Sequence, residues 1–216
     1  MLLPLNFEPI PTAAKTCKPV LARQASVLTN KVDGCSHGSP SLPPILLCTV
    51  TASAVLAAPA FATTVHTMLR VATPAGPGAR VGAVTIKDSL HGAMITFDLH
   101  GVPPGERGMH VHENGTCAVS TGADGKPVPA GAAGAHFDPA RTGRHMGPAG
   151  HGHLGDLPRV EVAADGTARM KLKAPRVTDV SVLKGRALIL HVGGDTYSEP
   201  PPNGGGGARF ACGVLE

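Results

Sequence analysis

The chain contains few aromatic and few charged residues. Its 216 residues include no tryptophan, one tyrosine and five phenylalanines, and only 16% are Asp, Glu, Lys or Arg. A core must therefore be built from aliphatic side chains. Since basic residues form no run, the sequence gives no sign of a nucleic-acid surface. The 28 glycines and 21 prolines favour short strands joined by turns over long helices.

The N-terminal third differs from the rest of the chain. Residues 45–62, ILLCTVTASAVLAAPAFA, are apolar and end in the small-x-small pattern that signal peptidases cleave. We therefore predict that residues 1–62 are an N-terminal extension and signal peptide, removed after Ala62 on export, which leaves no membrane anchor. A retained transmembrane helix is the alternative, although Pro59 argues against it. The mature domain would be 63–216.

The cysteines are distributed unevenly about this boundary. Three of the five lie in the segment predicted to be removed, and only Cys117 and Cys212 follow it. In an oxidising compartment these two would form a single disulfide. Two unpaired thiols are the alternative.

Residues 63–216 alternate short apolar segments with Gly, Pro and Asp breaks, as antiparallel all-β domains do. In TARMKLK, for example, Ala168, Met170 and Leu172 are predicted to face the core. With PRVEV before it, this segment predicts a hairpin over 159–173. The other candidate strands are 64–73, 79–88, 93–100, 108–113, 186–192 and 208–215. The total of eight strands predicts a sandwich or flattened barrel.

Two long segments, 115–157 and 193–207, lack strand patterns and are predicted to be functional loops. Histidines concentrate there: six of the ten after residue 63 lie between His110 and His153. On a strand, His110 and His112 would point to the same side. Imidazoles with one carboxylate suit zinc, and imidazoles without sulfur also suit copper. The first loop adds five candidate ligands: His136, His145, His151, His153 and Asp156.

The order of motifs in 63–216 resembles copper/zinc superoxide dismutase, in particular its exported bacterial form. The matching motifs are GMHVHENGTC, GAHFDP, RHMGP, HLGDL, LILHVGGD and GGGGARFACGV. The resemblance implies an all-β fold, an eight-stranded antiparallel Greek-key sandwich or flattened barrel. It also implies copper and zinc as cofactors, superoxide as the substrate and the periplasm as the location. A monomer and a homodimer both remain open.

The resemblance also implies roles for individual residues. It implies dismutation of superoxide to dioxygen and hydrogen peroxide by alternate reduction and oxidation of copper, with Arg209 and His136 as catalytic residues. Asp195 would join His110 to His145, and Cys117 would pair with Cys212. The implied copper ligands are His110, His112, His136 and His191. The implied zinc ligands are His136, His145, His153 and Asp156, so that His136 bridges the metals.

Some residues depart from the family pattern or lie outside it. Arg107 and Met109 stand where the family usually has His and Phe, which could alter support beneath the copper site. Lys126 is a weak candidate for steering the substrate anion. Four histidines outside the motifs are predicted to be surface residues: His66, His91, His100 and His151. A metal-binding module without turnover is the alternative function, but the complete ligand set together with Arg209 favours an enzyme.

Overall fold

The computed structural model describes residues 62–216. Within this range the chain forms eleven strands and three short 3-10 helices, Gly131–Ala133, Val180–Leu183 and Pro202–Gly205. The strands are β1 Thr64–Thr73, β2 Gly76–Ser89, β3 Gly92–Leu99, β4 Gly105–Arg107, β5 Met109–His112, β6 Ser120–Thr121, β7 Pro127–Val128, β8 Val160–Val162, β9 Ala168–Ala174, β10 Ala187–His191 and β11 Arg209–Val214.

Seven strands form one curled antiparallel sheet. Their order is β5-β10-β11-β1-β2-β3-β9, and two small ladders pair β4 with β8 and β6 with β7. The pairings of β1 with β11 and of β3 with β9 join strands that are distant in sequence. The all-β antiparallel fold is therefore as predicted, and β10 lies between β11 and β5, the strand that carries the first histidines.

Aliphatic side chains on the inner face of the sheet form the core. In β3 the side chains of Ala93, Ile95, Phe97 and Leu99 are buried, while the alternate residues Thr96 and Asp98 are exposed. In β9 the alternation predicted from the sequence is confirmed, since Arg169, Lys171 and Lys173 are exposed between buried or half-buried neighbours. The two-residue period of strands accounts for both patterns.

All eight predicted strands are present, and the structure adds the short strands β4, β6 and β7. The predicted 159–173 hairpin is wrong in its pairing. Its turn forms, with the Ala163 N–H donating to Thr167 O at 2.9 Å. Beyond the turn, β8 pairs with β4 and β9 pairs with β3. The seven-residue ladder with β3 provides more cross-strand contacts than three-residue β8 could offer.

The predicted signal peptide and its cleavage site before Thr63 lie almost entirely outside the described residues, as do the cysteines at 17, 35 and 48. Among residues 62–216, no helix has the length and hydropathy needed to cross a membrane.

Candidate metal centre

Strand β5 and the long loop after it bring the first histidines together. His110 and His112 belong to β5, and all four residues of this strand are buried. One edge of β5 pairs with β10. The other edge pairs with the loop, where the Val111 N–H donates to Gly155 O and the Phe137 N–H donates to Val111 O. The loop is thereby fixed alongside β5, which places His136 opposite His112.

Four histidines form one buried cluster. The ligand nitrogens of His110, His112, His136 and His191 all lie within 4.8 Å of one another. His191 ends β10, at an irregularity in the pairing with β11 that sets it opposite Arg209. The His112 and His191 Nε2 atoms are 3.4 Å apart, and the His110 and His136 rings stack with centroids 4.0 Å apart. The regular alternation of side chains along β5 therefore places His110 and His112 in the cluster. His191 reaches the cluster through the register shift at the end of β10.

A second cluster surrounds the carboxylate of Asp156. Its Oδ1 atom lies 2.9 Å from His136 Nδ1, 3.1 Å from His145 Nδ1 and 3.3 Å from His153 Nδ1. Three imidazole nitrogens and one carboxylate oxygen are donor types that zinc takes in a four-ligand site. His110 also lies near this cluster, since the ligand atoms of His110, His136, His145 and Asp156 all lie within 4.8 Å of one another.

Asp195 connects the two clusters from behind. Its Oδ2 atom lies 2.8 Å from His110 Nε2, and its Oδ1 atom lies 2.8 Å from His145 Nε2. The side chains of all three residues are fully buried. Gly204 makes this contact sterically feasible, because a β-carbon at that position would collide with Asp195 Oδ1 and His145 Nε2.

Burial and neighbouring charges set the protonation of the site. Burial lowers the pKa of His112 to about 2, of His191 to about 3 and of His136 to about 4. These rings are neutral at pH 7, as metal ligands must be. Burial alone would also lower the pKa of His145, but the carboxylates of Asp156 and Asp195 outweigh it and raise this pKa to about 9.

The two carboxylates are ionised. Burial alone would raise the pKa of Asp156, but the imidazoles of His136 and His145 hold it well below its usual value. Burial would likewise raise the pKa of Asp195, and His110 and His145 lower it in the same way. Each cluster therefore has an anionic group beside it that favours a bound cation.

A small cavity opens onto the four-histidine cluster. Its volume is about 220 Å³, and its walls include His112, His136, His191 and Arg209. The Arg209 Nη2 atom donates to Gly134 O at 2.6 Å and Nη1 donates to Ala130 O. These two bonds leave other guanidinium N–H groups for an anion in the cavity.

The predicted disulfide is present and lies close to Arg209. Cys117 and Cys212 are bonded, with their Cα atoms 5.7 Å apart. The bond ties the long loop to β11, three residues beyond Arg209. The loop in turn supplies the carbonyls of Ala130 and Gly134 that hold the guanidinium.

Comparison with known proteins agrees with this geometry. A family model described as copper/zinc superoxide dismutase matches residues 80–215. The chain belongs to the copper/zinc superoxide dismutase family. A Cu-Zn superoxide dismutase of Brucella abortus biovar 1 is 48% identical over 163 residues, which make up 75% of this chain and 94% of that protein.

Solved structures give the same result. The Cu/Zn superoxide dismutase from Brucella abortus is 49% identical with a TM-score of 0.68, covering 72% of this chain and 99% of its own. The monomeric copper, zinc superoxide dismutase from Salmonella enterica is 44% identical with a TM-score of 0.63, covering 71% of this chain and 100% of its own. As a member of this family the protein is an oxidoreductase whose cofactors are copper and zinc.

The residues of this superoxide dismutase fit its metals. Two buried ring nitrogens, His110 Nδ1 and His145 Nδ1, have no hydrogen-bond partner within residues 62–216. His145 Nδ1 lies 3.1 Å from Asp156 Oδ1 but without hydrogen-bond geometry. Buried polar atoms normally have partners, so two orphaned nitrogens, each within one of the clusters, indicate ligand atoms for ions.

The structure also shows the residues that depart from the dismutase pattern. Met109 is fully buried in the core. Arg107 Nε donates to Pro103 O at 2.9 Å, and its Nη atoms donate to the carbonyls of Pro104 and Val192, the residue after His191. Lys126 is exposed, pairs with Asp124 at 3.3 Å and does not line the cavity at the histidine cluster.

The four remaining histidines are exposed, as predicted: His66, His91, His100 and His151. Sequence reasoning missed two arginines that support the dismutase site. Arg176 donates to the carbonyls of Gly152 and His153 at 2.9 and 3.0 Å. Arg159 donates to the carbonyl of Asp195 at 3.1 Å. Neither arginine lies in a motif associated with metal binding or catalysis, so the local sequence does not indicate their role.

Proposed function

We propose that the protein converts superoxide to dioxygen and hydrogen peroxide at a paired copper and zinc centre. The observation that carries this proposal is that His136 belongs both to the four-histidine cluster and to the cluster around Asp156, beside a cavity that Arg209 also lines. A metal-buffering module would need the clusters but not an anion-binding guanidinium beside them. The family relationship supports superoxide as the anion.

The donor geometry supports the following assignment of the metals. Since Asp195 occupies His110 Nε2, the free His110 Nδ1 is left for copper. His136 Nδ1 faces Asp156, so its other nitrogen is left for the cavity side. Copper would be held by His110, His112, His136 and His191. Zinc would be held by His136, His145, His153 and Asp156.

The chain's own residues then divide the work of the reaction. When bound, copper supplies one-electron chemistry, because it has two accessible oxidation states whereas zinc has one. Arg209 attracts superoxide into the cavity and orients it with N–H groups that its carbonyl partners leave free. In the half of the cycle in which its cavity-side nitrogen is free of copper, His136 would carry a proton there and donate it to the anion that is being reduced. A second proton from water completes hydrogen peroxide.

Asp195 and Asp156 keep the imidazoles in position during this cycle. Asp195 fixes the ring orientations of His110 and His145, and such outer-shell contacts typically change metal affinity or activity by about 10- to 100-fold. Asp156 balances the positive charge near His136. The positioned rings therefore need little reorganisation when the oxidation state of the site changes.

Export belongs to the same proposal. Residues 1–62 would direct the chain to the periplasm and be removed after Ala62, giving a mature chain that begins at Thr63. The disulfide between Cys117 and Cys212 supports an oxidising compartment. N-terminal sequencing of the exported protein tests this, and a mature chain that starts upstream of residue 45 would refute the cleavage site.

The test of the function is the decay of superoxide with protein loaded with copper and zinc at verified stoichiometry. His112→Ala removes a residue of the four-histidine cluster, and we expect it to abolish rapid decay. His151→Ala is the control, because His151 lies in the loop that carries His136 and Asp156 but is itself exposed. A fully metallated wild type without turnover would refute the dismutase and favour a metal-binding module.

A further inference from the structure

We propose that Arg159 is a positioning residue that holds Asp195 between the two metal sites. It acts with Glu106 and Tyr197, and these three residues are named the Asp195 clamp. The inference rests on the proposed function, because Asp195 matters only if the histidines it contacts bind metals. The clamp goes beyond the ligand set, since its hydrogen bonds and ion pair within residues 62–216 join Arg159, Glu106, Tyr197 and Asp195 and involve no histidine nitrogen.

Arg159 contacts three different parts of the fold through its guanidinium group. Nη1 donates to the main-chain carbonyl of Asp195 at 3.1 Å. Nη2 lies 3.1 Å from Glu106 Oε1, which belongs to β4. The guanidinium carbon also lies 5.1 Å from the centre of the Tyr197 ring. The planar fork of arginine can make these contacts together, whereas the single ammonium of lysine cannot.

Tyr197 completes the clamp through its main chain and its hydroxyl. The main-chain N–H of Arg159 donates to the Tyr197 hydroxyl at 2.9 Å. The Tyr197 N–H donates to Asp195 Oδ1 at 2.8 Å. Arg159 therefore holds the carbonyl of Asp195 and the hydroxyl of Tyr197. The Tyr197 N–H in turn holds the Asp195 carboxylate.

This restraint matters because residues 195–197 lie in a loop. Asp195 belongs to the segment 193–207, which contains only a short 3-10 helix. Yet both its carboxylate oxygens must stay 2.8 Å from their histidines, His110 and His145. Arg159 lies immediately before β8, and Glu106 lies in β4, the partner of β8. The clamp therefore anchors the loop residue Asp195 to the ladder formed by β4 and β8.

A simple surface ion pair is the competing interpretation of Arg159. Its side chain is 37% exposed and that of Glu106 is 46% exposed. Exposed ion pairs typically contribute little to stability. Arg169 offers a matched comparison: it pairs with Asp98 at 2.7 Å, is 65% exposed and contacts no residue of the metal loops. If the competing interpretation held, removing either arginine would have the same small effect.

The test compares Arg159→Gln with Arg169→Gln in the purified protein. Dissociation constants for zinc and for copper are measured by chelator competition, and the absorption spectrum of bound Cu(II) is recorded. We expect Arg159→Gln to weaken both metals by about 10-fold, the lower end of the range for outer-shell partners, and to shift the copper spectrum. Both metals respond because Asp195 contacts a histidine of each site. Arg169→Gln should match the wild type.

Further variants separate positioning from folding. Arg159→Lys keeps the charge but not the fork, so it should fall between wild type and Arg159→Gln. Glu106→Gln removes only the ion pair and should have a smaller effect in the same direction. Hydrogen exchange of the Tyr197 amide in the metal-free protein should become faster in Arg159→Gln and stay unchanged in Arg169→Gln.

The outcomes distinguish this inference from the proposed function. If the wild type binds both metals and dismutates superoxide, but Arg159→Gln has wild-type affinities and spectrum, the clamp is refuted and the dismutase stands. If Arg159→Gln does not fold, Glu106→Gln takes its place in the test. Metal affinities and Tyr197 amide exchange equal to those of the wild type in Glu106→Gln would then refute the clamp. If the wild type itself fails to bind two metals, both proposals fail.

Discussion

Removing the disulfide between Cys117 and Cys212 should lower the free energy of unfolding substantially. The bond closes a loop with a sequence separation of 95. For a loop of this length, the entropy lost by the unfolded chain corresponds to about 4.7 kcal/mol at 25 °C. Cys212 is buried beside Ala130, Ala133 and Ile189, so alanine fits there without a polar group. The double variant Cys117→Ala/Cys212→Ala should therefore lose roughly 4 kcal/mol.

Urea unfolding of the metal-free protein measures this loss, with wild type treated with a reductant as the control. The reduced wild type and the double variant should have similar midpoints. The same variant should also dismutate more slowly when metallated, because the loop that holds Arg209 through Ala130 and Gly134 is no longer tied to β11. A double variant within about 1 kcal/mol of the oxidised wild type would refute the entropic reasoning.

Two further predictions concern charge at the site. Arg209→Ala should slow dismutation at low ionic strength and weaken its salt dependence while both metals stay bound, because the guanidinium attracts the anion. Stopped-flow measurement of superoxide decay tests this, and kinetics equal to those of the wild type would contradict the role of Arg209. The metal-free protein should lose stability as pH falls below about 6.5, by roughly 2 kcal/mol per histidine at pH 5. In this pH range the unfolded chain binds protons at three imidazole rings whose pKa is lowered in the folded chain. Urea midpoints that stay constant from pH 7 to pH 5 would contradict this loss of stability. These rings are His112, His136 and His191.

The strands could be predicted because burial of one face gives a strand a period of two. That period located all eight predicted strands and placed His110 and His112 on one side of β5. It does not specify strand partners: the turn at 163–167 predicts a hairpin, whereas β8 and β9 pair with different strands, β4 and β3. Strand pairing depends on contacts between distant segments, which local patterns do not contain.

The motifs of the sequence indicate the candidate metal ligands and Asp195, but they do not indicate the arginines Arg159 and Arg176 that support them. His136 and Asp156 stand in short segments with a recognisable order, and the structure brings them to 2.9 Å. Arg159 lies 36 residues from Asp195 in sequence, and its guanidinium contacts a carbonyl that any residue would present. Such a contact leaves no trace in residue type, so only the folded chain shows it.

If His136 is a ligand of both metals, single-residue variants of the two clusters should separate copper binding from zinc binding. Copper and zinc dissociation constants are measured for His136→Ala, His112→Ala and His153→Ala. We expect His112→Ala to weaken copper binding alone, His153→Ala to weaken zinc binding alone, and His136→Ala to weaken the binding of both metals. A His136→Ala protein that retains wild-type affinity for either metal would contradict the shared ligand.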